Sequence, residues 1–125
     1  MNREYTVEEF NEVCDYLKEE MPTMTLATDI ICGFPTEVKA HHEETCELVR
    51  RHKFPVLNIS QFYPRPGTVA ARWKQIPSQD KKSRSQEITK IFDSYTTNAH
   101  FVGSEQLVWI MGFDDRAKAL KDKKP

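Results

Sequence analysis

No apolar run in this 125-residue chain approaches the ~18 residues that a membrane-spanning helix needs, so solubility is expected. A secretory leader is missing as well, because Met1-Asn2-Arg3-Glu4 runs straight into a polar helix start. Charge of one sign is not in excess: 18 Lys+Arg against 19 Asp+Glu give a net charge of -1, which removes any global electrostatic argument for nucleic acid. Cysteine is sparse and scattered. Cys14, Cys32 and Cys46 lie 18 and 14 residues apart, whereas zinc and iron–sulfur loops draw ligands from positions a few residues apart. Odd in number and set among apolar neighbours, they read as reduced core thiols of a cytoplasmic protein. Internal repeats and low-complexity blocks are absent, and the length allows one domain or a piece of a larger one.

What is present is an alternation of helices and strands. Thr6-Val7-Glu8-Glu9 has the form of a capping box, with Tyr5 and Phe10 placed as a hydrophobic staple. Phe10, Val13, Cys14 and Leu17 then follow one helical stripe, which Pro22 stops. Met24 to Cys32 reads as a strand ending in Gly33-Phe34-Pro35-Thr36-Glu37. A second helix is expected from about Val38 to Arg51, with Val38, His42, Thr45, Cys46 and Val49 facing inward. His42 on that stripe reads as a satisfied histidine at the core edge rather than a ligand or base. Val56 to Ser60 is a short buried strand, and Val69 to Trp73 a helical turn. Ser78 is expected to cap a third helix whose stripe is Ile88, Ile91, Phe92 and Tyr95. Glu105 to Met111 looks like a further strand, followed by a polar, lysine-rich end from Gly112. Two apolar strands separated by a helix suit a parallel βαβ unit, with both following loops at one edge of the sheet.

The candidate site residues lie in those loops. Gln61-Phe62-Tyr63-Pro64-Arg65-Pro66-Gly67-Thr68 holds an arginine between two prolines, so the backbone is stiff and the guanidinium stands on a fixed support. Gly67 frees the turn, and Thr68 offers a hydroxyl and a backbone N–H. The plainer reading is a strand-to-helix connection stiffened by prolines. Asp29 is the odd residue in the first strand, since a carboxylate there needs a partner or a wet pocket. Glu37 suits the first turn of a helix, where the dipole favours an anion. Lys81, Lys82 and Arg84 gather near the start of the third helix, and Lys118, Lys121, Lys123 and Lys124 near the chain end. Such runs are usually solvated faces.

Placed in order, these motifs resemble the C-terminal half of the radical S-adenosylmethionine core of the tRNA methylthiotransferases. The resemblance covers about Arg3 to Tyr95. It is carried by Thr28-Asp29-Ile30-Ile31-Cys32-Gly33-Phe34-Pro35, Glu37, the Gln61–Thr68 loop, Ala70-Ala71 and Arg84. The Cys32-Gly33 junction and Gln61–Thr68 are most similar to the threonylcarbamoyladenosine branch of archaea and eukaryotes. Gly103 to Met111 resembles the opening strand of the small RNA-binding barrel, the TRAM domain, that follows the core.

The resemblance implies an α/β fold, a partial (β/α) radical-SAM barrel over residues 1–98 followed over 99–125 by the first strand of a truncated TRAM barrel. It implies a parent enzyme that adds a methylthio group to C2 of N6-threonylcarbamoyladenosine beside the tRNA anticodon. That parent uses S-adenosylmethionine and two [4Fe–4S] clusters, one of them in a Cys-x3-Cys-x2-Cys loop. Asp29, Gly33, Phe34, Pro35 and Glu37 correspond to the S-adenosylmethionine side of the barrel mouth. Tyr63, Arg65, Gly67 and Thr68 correspond to a loop facing cofactor or substrate there, and Lys81, Lys82 and Arg84 to an RNA-facing surface. Eukaryotic relatives are anchored to the endoplasmic reticulum by a C-terminal tail, a segment not found in this sequence. The chain departs from the family in several places. Neither cluster's cysteines are in it, Thr36 and Val38 stand for glycine and threonine, and His42 and Cys46 replace larger apolar residues. His42 for an aromatic residue is expected to cost about 2–4 kcal/mol. The chain is therefore expected to be a fragment, inactive alone, whose open half-barrel self-associates. The alternative is a non-catalytic nucleotide- or tRNA-binding remnant.

Overall fold

A computed structural model describes residues 3–112. The first helix, α1 (Val7–Glu20), begins as its sequence dictates: Thr6 is the N-cap, and its Oγ1 accepts from the Glu9 amide at 3.2 Å. Tyr5 stacks on Phe10 with ring centroids 6.3 Å apart, completing the staple. Cys14 is buried and Phe10 packs against the same core, whereas Val13 is exposed. The stripe is thus narrower than expected, because only one side of α1 meets the rest of the chain and Val13 falls on its flank.

Strand β1 (Ala27–Cys32) starts later than the apolar run suggested. The Met24 amide is turned back onto the Met21 carbonyl at 3.0 Å, which keeps Met24 out of the ladder. Helix α2 (Lys39–His52) follows, with Val38 as N-cap, and ends at Lys53 in the left-handed conformation, φ 47°. Strand β2 (Val56–Gln61) then pairs with β1 in parallel, from Ala27 opposite Val56 to Cys32 opposite Gln61. After a 3-10 turn at Ala70–Arg72 comes α3 (Ser78–Asp93). Pro77, not Ser78, is its N-cap: the Pro77 carbonyl accepts from the Asp80 and Lys81 amides, which places Ser78 inside the first turn.

The two strands divide their side chains by alternation. Ile30, Cys32 and Leu57 enter a core with Cys46 and Val49 of α2, Ile88 and Ile91 of α3, Cys14 of α1, and Phe54. Each large apolar side chain buried there contributes about 1.5–3 kcal/mol. Phe54 is the hub: Phe10 packs on its ring at 6.2 Å, and Tyr95 Oη donates to its carbonyl at 2.8 Å. The alternate residues Ala27, Asp29, Val56, Asn58 and Ser60 are exposed, so the sheet has one covered face and one open face.

The described residues therefore form a small α/β unit of three α-helices and a two-stranded parallel sheet. The strand expected over Glu105 to Met111 is a correction: among the described residues this stretch joins no ladder, and Leu107, Trp109 and Met111 are exposed. An apolar run alone does not make a strand without a neighbour to bond, and among the described residues β1 and β2 bond only each other. The lysine-rich end, Lys118 to Lys124, lies outside the described residues. None of the described helices is long and apolar enough to cross a membrane.

Candidate ligand site at the strand ends

Parallel pairing brings the C-terminal ends of β1 and β2 to one edge, and the loops after them meet there. The ladder runs one step beyond the strands, since the Phe62 amide donates to the Cys32 carbonyl at 2.8 Å. The Phe34 and Phe62 rings then pack edge to face at 5.2 Å, and Trp73 adds a second edge contact to Phe34 at 5.9 Å. Gly33, with φ +81°, lets the chain turn beneath Lys81, where a Cβ would lie 2.4 Å from the lysine Cγ. Lys81 is buried, donates to the Phe62 carbonyl at 3.1 Å, and holds its ammonium 5.7 Å from the Phe62 ring centroid.

The carboxylate of Glu37 turns inward. It accepts from the Gly33 amide at 3.1 Å and from Arg84 Nη1 at 2.6 Å, and Arg84 also donates to the Glu37 carbonyl at 3.2 Å. Both side chains are largely buried, so this pair fastens the first loop to α3. Asp29 lies on the open face, where its carboxylate accepts from Asn58 Nδ2 at 2.6 Å. Asp29, Phe34 and Glu37 line a cleft of about 520 Å³ beside β1, together with Tyr5 and His41.

The second loop is built as its sequence implied. Gly67 has φ +84°, and Thr68 Oγ1 donates to the Arg65 carbonyl at 2.7 Å while accepting from the Ala71 amide at 3.3 Å. Tyr63 and Arg65 are exposed. The Arg65 guanidinium makes no hydrogen bond or ion pair among the described residues, because Glu37 is committed to Arg84 and Asp29 to Asn58. The basic trio separates: Lys82 is exposed, Lys81 is buried under the loops, and Arg84 is held by Glu37.

Three contacts were not legible in the sequence. Lys81 over Gly33 was signalled only by a glycine at a strand end. His52 is buried between Asn11 and Lys18, its Nε2 at 2.6 Å from Asn11 Oδ1 and its Nδ1 at 3.3 Å from Lys18 Nζ. Burial, then the Lys18 ammonium, pushes its pKa down. His42 is buried with Nε2 2.9 Å from Glu87 Oε2, yet among the described residues Nδ1 has no partner, so the satisfied histidine expected from the sequence is only half satisfied there. Burial pushes the Cys32 thiol up to about 12 and raises those of Cys14 and Cys46, which makes all three poor nucleophiles.

No family model matches the chain. Curated relatives do. The threonylcarbamoyladenosine tRNA methylthiotransferase of Homo sapiens is 50% identical over 110 residues, 88% of this chain and 19% of that protein. The Danio rerio protein of the same name is 50% identical over 88% of this chain and 20% of its own length. A probable threonylcarbamoyladenosine tRNA methylthiotransferase of Pyrococcus horikoshii is 41% identical over 90% of this chain and 27% of its length. The chain thus spans about a fifth of the length of the animal relatives it matches.

Proposed function

From its 50% identity, over 88% of its length, to the human threonylcarbamoyladenosine tRNA methylthiotransferase, we propose that the chain belongs to that family and forms the C-terminal half of a radical S-adenosylmethionine barrel. In this reading residues 1–98 belong to the (β/α) core, and residues 99–125 open a TRAM-like RNA-binding barrel. The parent enzyme adds a methylthio group to C2 of N6-threonylcarbamoyladenosine in tRNA, in the cytoplasm. The observation that carries the reading is the 50% identity to the human enzyme over 110 residues, a stretch that includes both strand-end loops. Their meeting at one sheet edge agrees with it, since α/β folds bind ligands beyond the carboxyl ends of their strands.

The residues present fit parts of that chemistry and not others. Cys14, Cys32 and Cys46 are buried on α1, β1 and α2, with no pair close in sequence, so they do not fit a cluster-binding loop. No step of the radical reaction is assigned to this chain. For S-adenosylmethionine, the cleft beside β1 offers Asp29 and Phe34, while Glu37 and the Gly33 amide serve each other and act as positioning groups. Tyr63 and Arg65 remain for substrate or cofactor, and Lys82 is the exposed cation of the RNA-facing trio. The burial of all three cysteines favours the second reading for the isolated chain: a nucleotide- or tRNA-binding remnant without radical chemistry.

Arg65 tests the proposal. Its guanidinium, unpaired among the described residues and carried on backbone stiffened by Pro64 and Pro66, suits the methionyl carboxylate of S-adenosylmethionine, the threonyl carboxylate of the modified adenosine, or a tRNA phosphate. In a full-length relative, lysine at the position of Arg65 keeps the charge and removes the fork. Turnover or apparent affinity is expected to fall roughly tenfold or more, matching a lost charge-assisted hydrogen bond of ~1.5–3 kcal/mol. Unchanged kinetics for both ligands, with only a lower melting temperature, would make Arg65 structural.

A further inference from the structure

On the side of the sheet away from the open face, α2 and α3 bring three electron-pair donors together. His42 and Cys46 stand one helical turn apart on α2, both buried, and Glu87 reaches over from α3 with an exposed side chain. Their ligand atoms all lie within 4.8 Å of one another. His42 Nε2 is the meeting point, 2.9 Å from Glu87 Oε2 and 3.6 Å from Cys46 Sγ. One ring nitrogen cannot satisfy both neighbours. If Nε2 carries the proton it donates to Glu87 and cannot accept from the thiol. If it accepts from the thiol, Glu87 loses its donor and the Nδ1–H is buried without an acceptor.

We propose that His42, Cys46 and Glu87 form a binding site for a borderline-soft divalent cation, Zn2+ in the first place, independent of the strand-end site. The spacing supports it. Tetrahedral Zn–N and Zn–S bonds of about 2.0 and 2.3 Å place N and S about 3.5 Å apart, close to the separation of His42 and Cys46. The nitrogen-to-carboxylate separation for the same geometry is about 3.4 Å, so Glu87 has to withdraw by roughly half an ångström. An exposed glutamate on a helix makes that movement by changing rotamer. The surrounding charge attracts a cation: Glu43, Glu47 and Glu87 act on the Cys46 sulfur against Arg50 alone, and Arg50 is paired to Glu47. Burial first, and these carboxylates next, also hold the thiol protonated, so metal binding has to release that proton to solvent. Three protein ligands leave the fourth position open. With the metal on Nε2 the ring proton sits on Nδ1, which has no outer partner among the described residues. Such partners are worth 10–100-fold in affinity, so the site is expected to bind less tightly than a structural zinc centre by that factor.

The experiment is a titration of the metal-free 125-residue chain with Co2+, in a non-thiol reductant, followed by displacement with Zn2+. The expected result is a thiolate-to-cobalt charge-transfer absorption that saturates at one equivalent and disappears on adding one equivalent of Zn2+. Cys46→Ser should abolish the band, and Glu87→Gln should weaken Co2+ binding tenfold or more. No charge-transfer band, or a band of full intensity in Cys46→Ser, overturns the proposal. Should Cys46→Ser fail to fold, Glu87→Gln decides, because its side chain is on the surface; unchanged affinity there overturns the proposal equally. Neither outcome depends on tRNA modification, so the result is separable from the fate of the methylthiotransferase reading.

Discussion

Glu37 and Arg84, 47 residues apart in sequence, meet at 2.6 Å and clamp the loop after β1 onto α3. The same carboxylate holds the Gly33 amide, so one ion pair sets the position of the whole turn. Removing one member leaves the other buried and uncompensated, which by the behaviour of buried pairs costs about 3 kcal/mol. Glu37→Gln and Arg84→Met are each expected to lower the denaturation midpoint accordingly. Urea unfolding of the variants checks this, and midpoints matching the wild type would show that the loop is held by other contacts.

Gly33 and Gly67 share a positive φ and differ in surroundings. An alanine Cβ at Gly33 meets Lys81 Cγ at 2.4 Å, whereas at Gly67 nothing lies within 4 Å. Gly67→Ala is expected to cost about 1 kcal/mol of backbone strain, and Gly33→Ala a further 1–3 kcal/mol of overpacking. Adding Lys81→Ala to Gly33→Ala should return much of the second part. Equal losses at the two glycines in thermal unfolding would contradict the close approach of Lys81.

His52 makes the fold acid-sensitive. Neutral, it donates from Nε2 to Asn11 and accepts from Lys18; protonated, it would set a second cation against the Lys18 ammonium, with Asp15 3.9 Å away and Arg51 nearby. Its folded pKa is lowered, so below the ordinary value near 6.5 the unfolded chain binds the proton first. Its contribution is therefore fully present above pH 6.5 and is lost as pH falls below that value. His52→Gln should flatten the stability profile between pH 7 and 5. A profile with the same slope in both proteins would assign the acid sensitivity elsewhere.

Among the described residues the two strands pair only with each other, and Val56, Trp73, Leu107, Trp109 and Met111 are exposed. Free strand edges and apolar patches of this kind favour association. Sedimentation velocity of the chain is expected to show concentration-dependent species larger than 14.6 kDa. A single monomer that unfolds cooperatively in calorimetry would contradict this.

Local signals were read correctly where the chain itself supplies the partner. Thr6 caps α1, Gly67 and Thr68 build their turn, and Ile88, Ile91 and Phe92 face inward from α3, while Tyr95, expected on the same stripe, lies beyond the helix end and packs on the core from there. The parallel pairing of β1 and β2 followed from two apolar runs around a helix. Position in space was harder. Lys81 and Lys82 are adjacent in sequence, yet one is buried beneath the strand-end loops and the other is exposed, because a helix turns 100° per residue. Glu87 carries no signal in the sequence, and only the packing of α3 on α2 brings it to His42. The expected strand at Glu105 to Met111 failed for a related reason: an apolar run in sequence does not supply a partner.

The central claim is that this chain supplies the second half of a methylthiotransferase barrel. It is tested by exchanging residues 3–98 for the matching segment of a full-length relative and measuring 2-methylthio-N6-threonylcarbamoyladenosine in tRNA by mass spectrometry. The exchange is made in cells lacking their own enzyme. The chimera is expected to restore the modified nucleoside, and lysine at Arg65 to reduce it roughly tenfold. A chimera that folds, carries its iron–sulfur clusters and binds tRNA but leaves the nucleoside unmethylthiolated would contradict it.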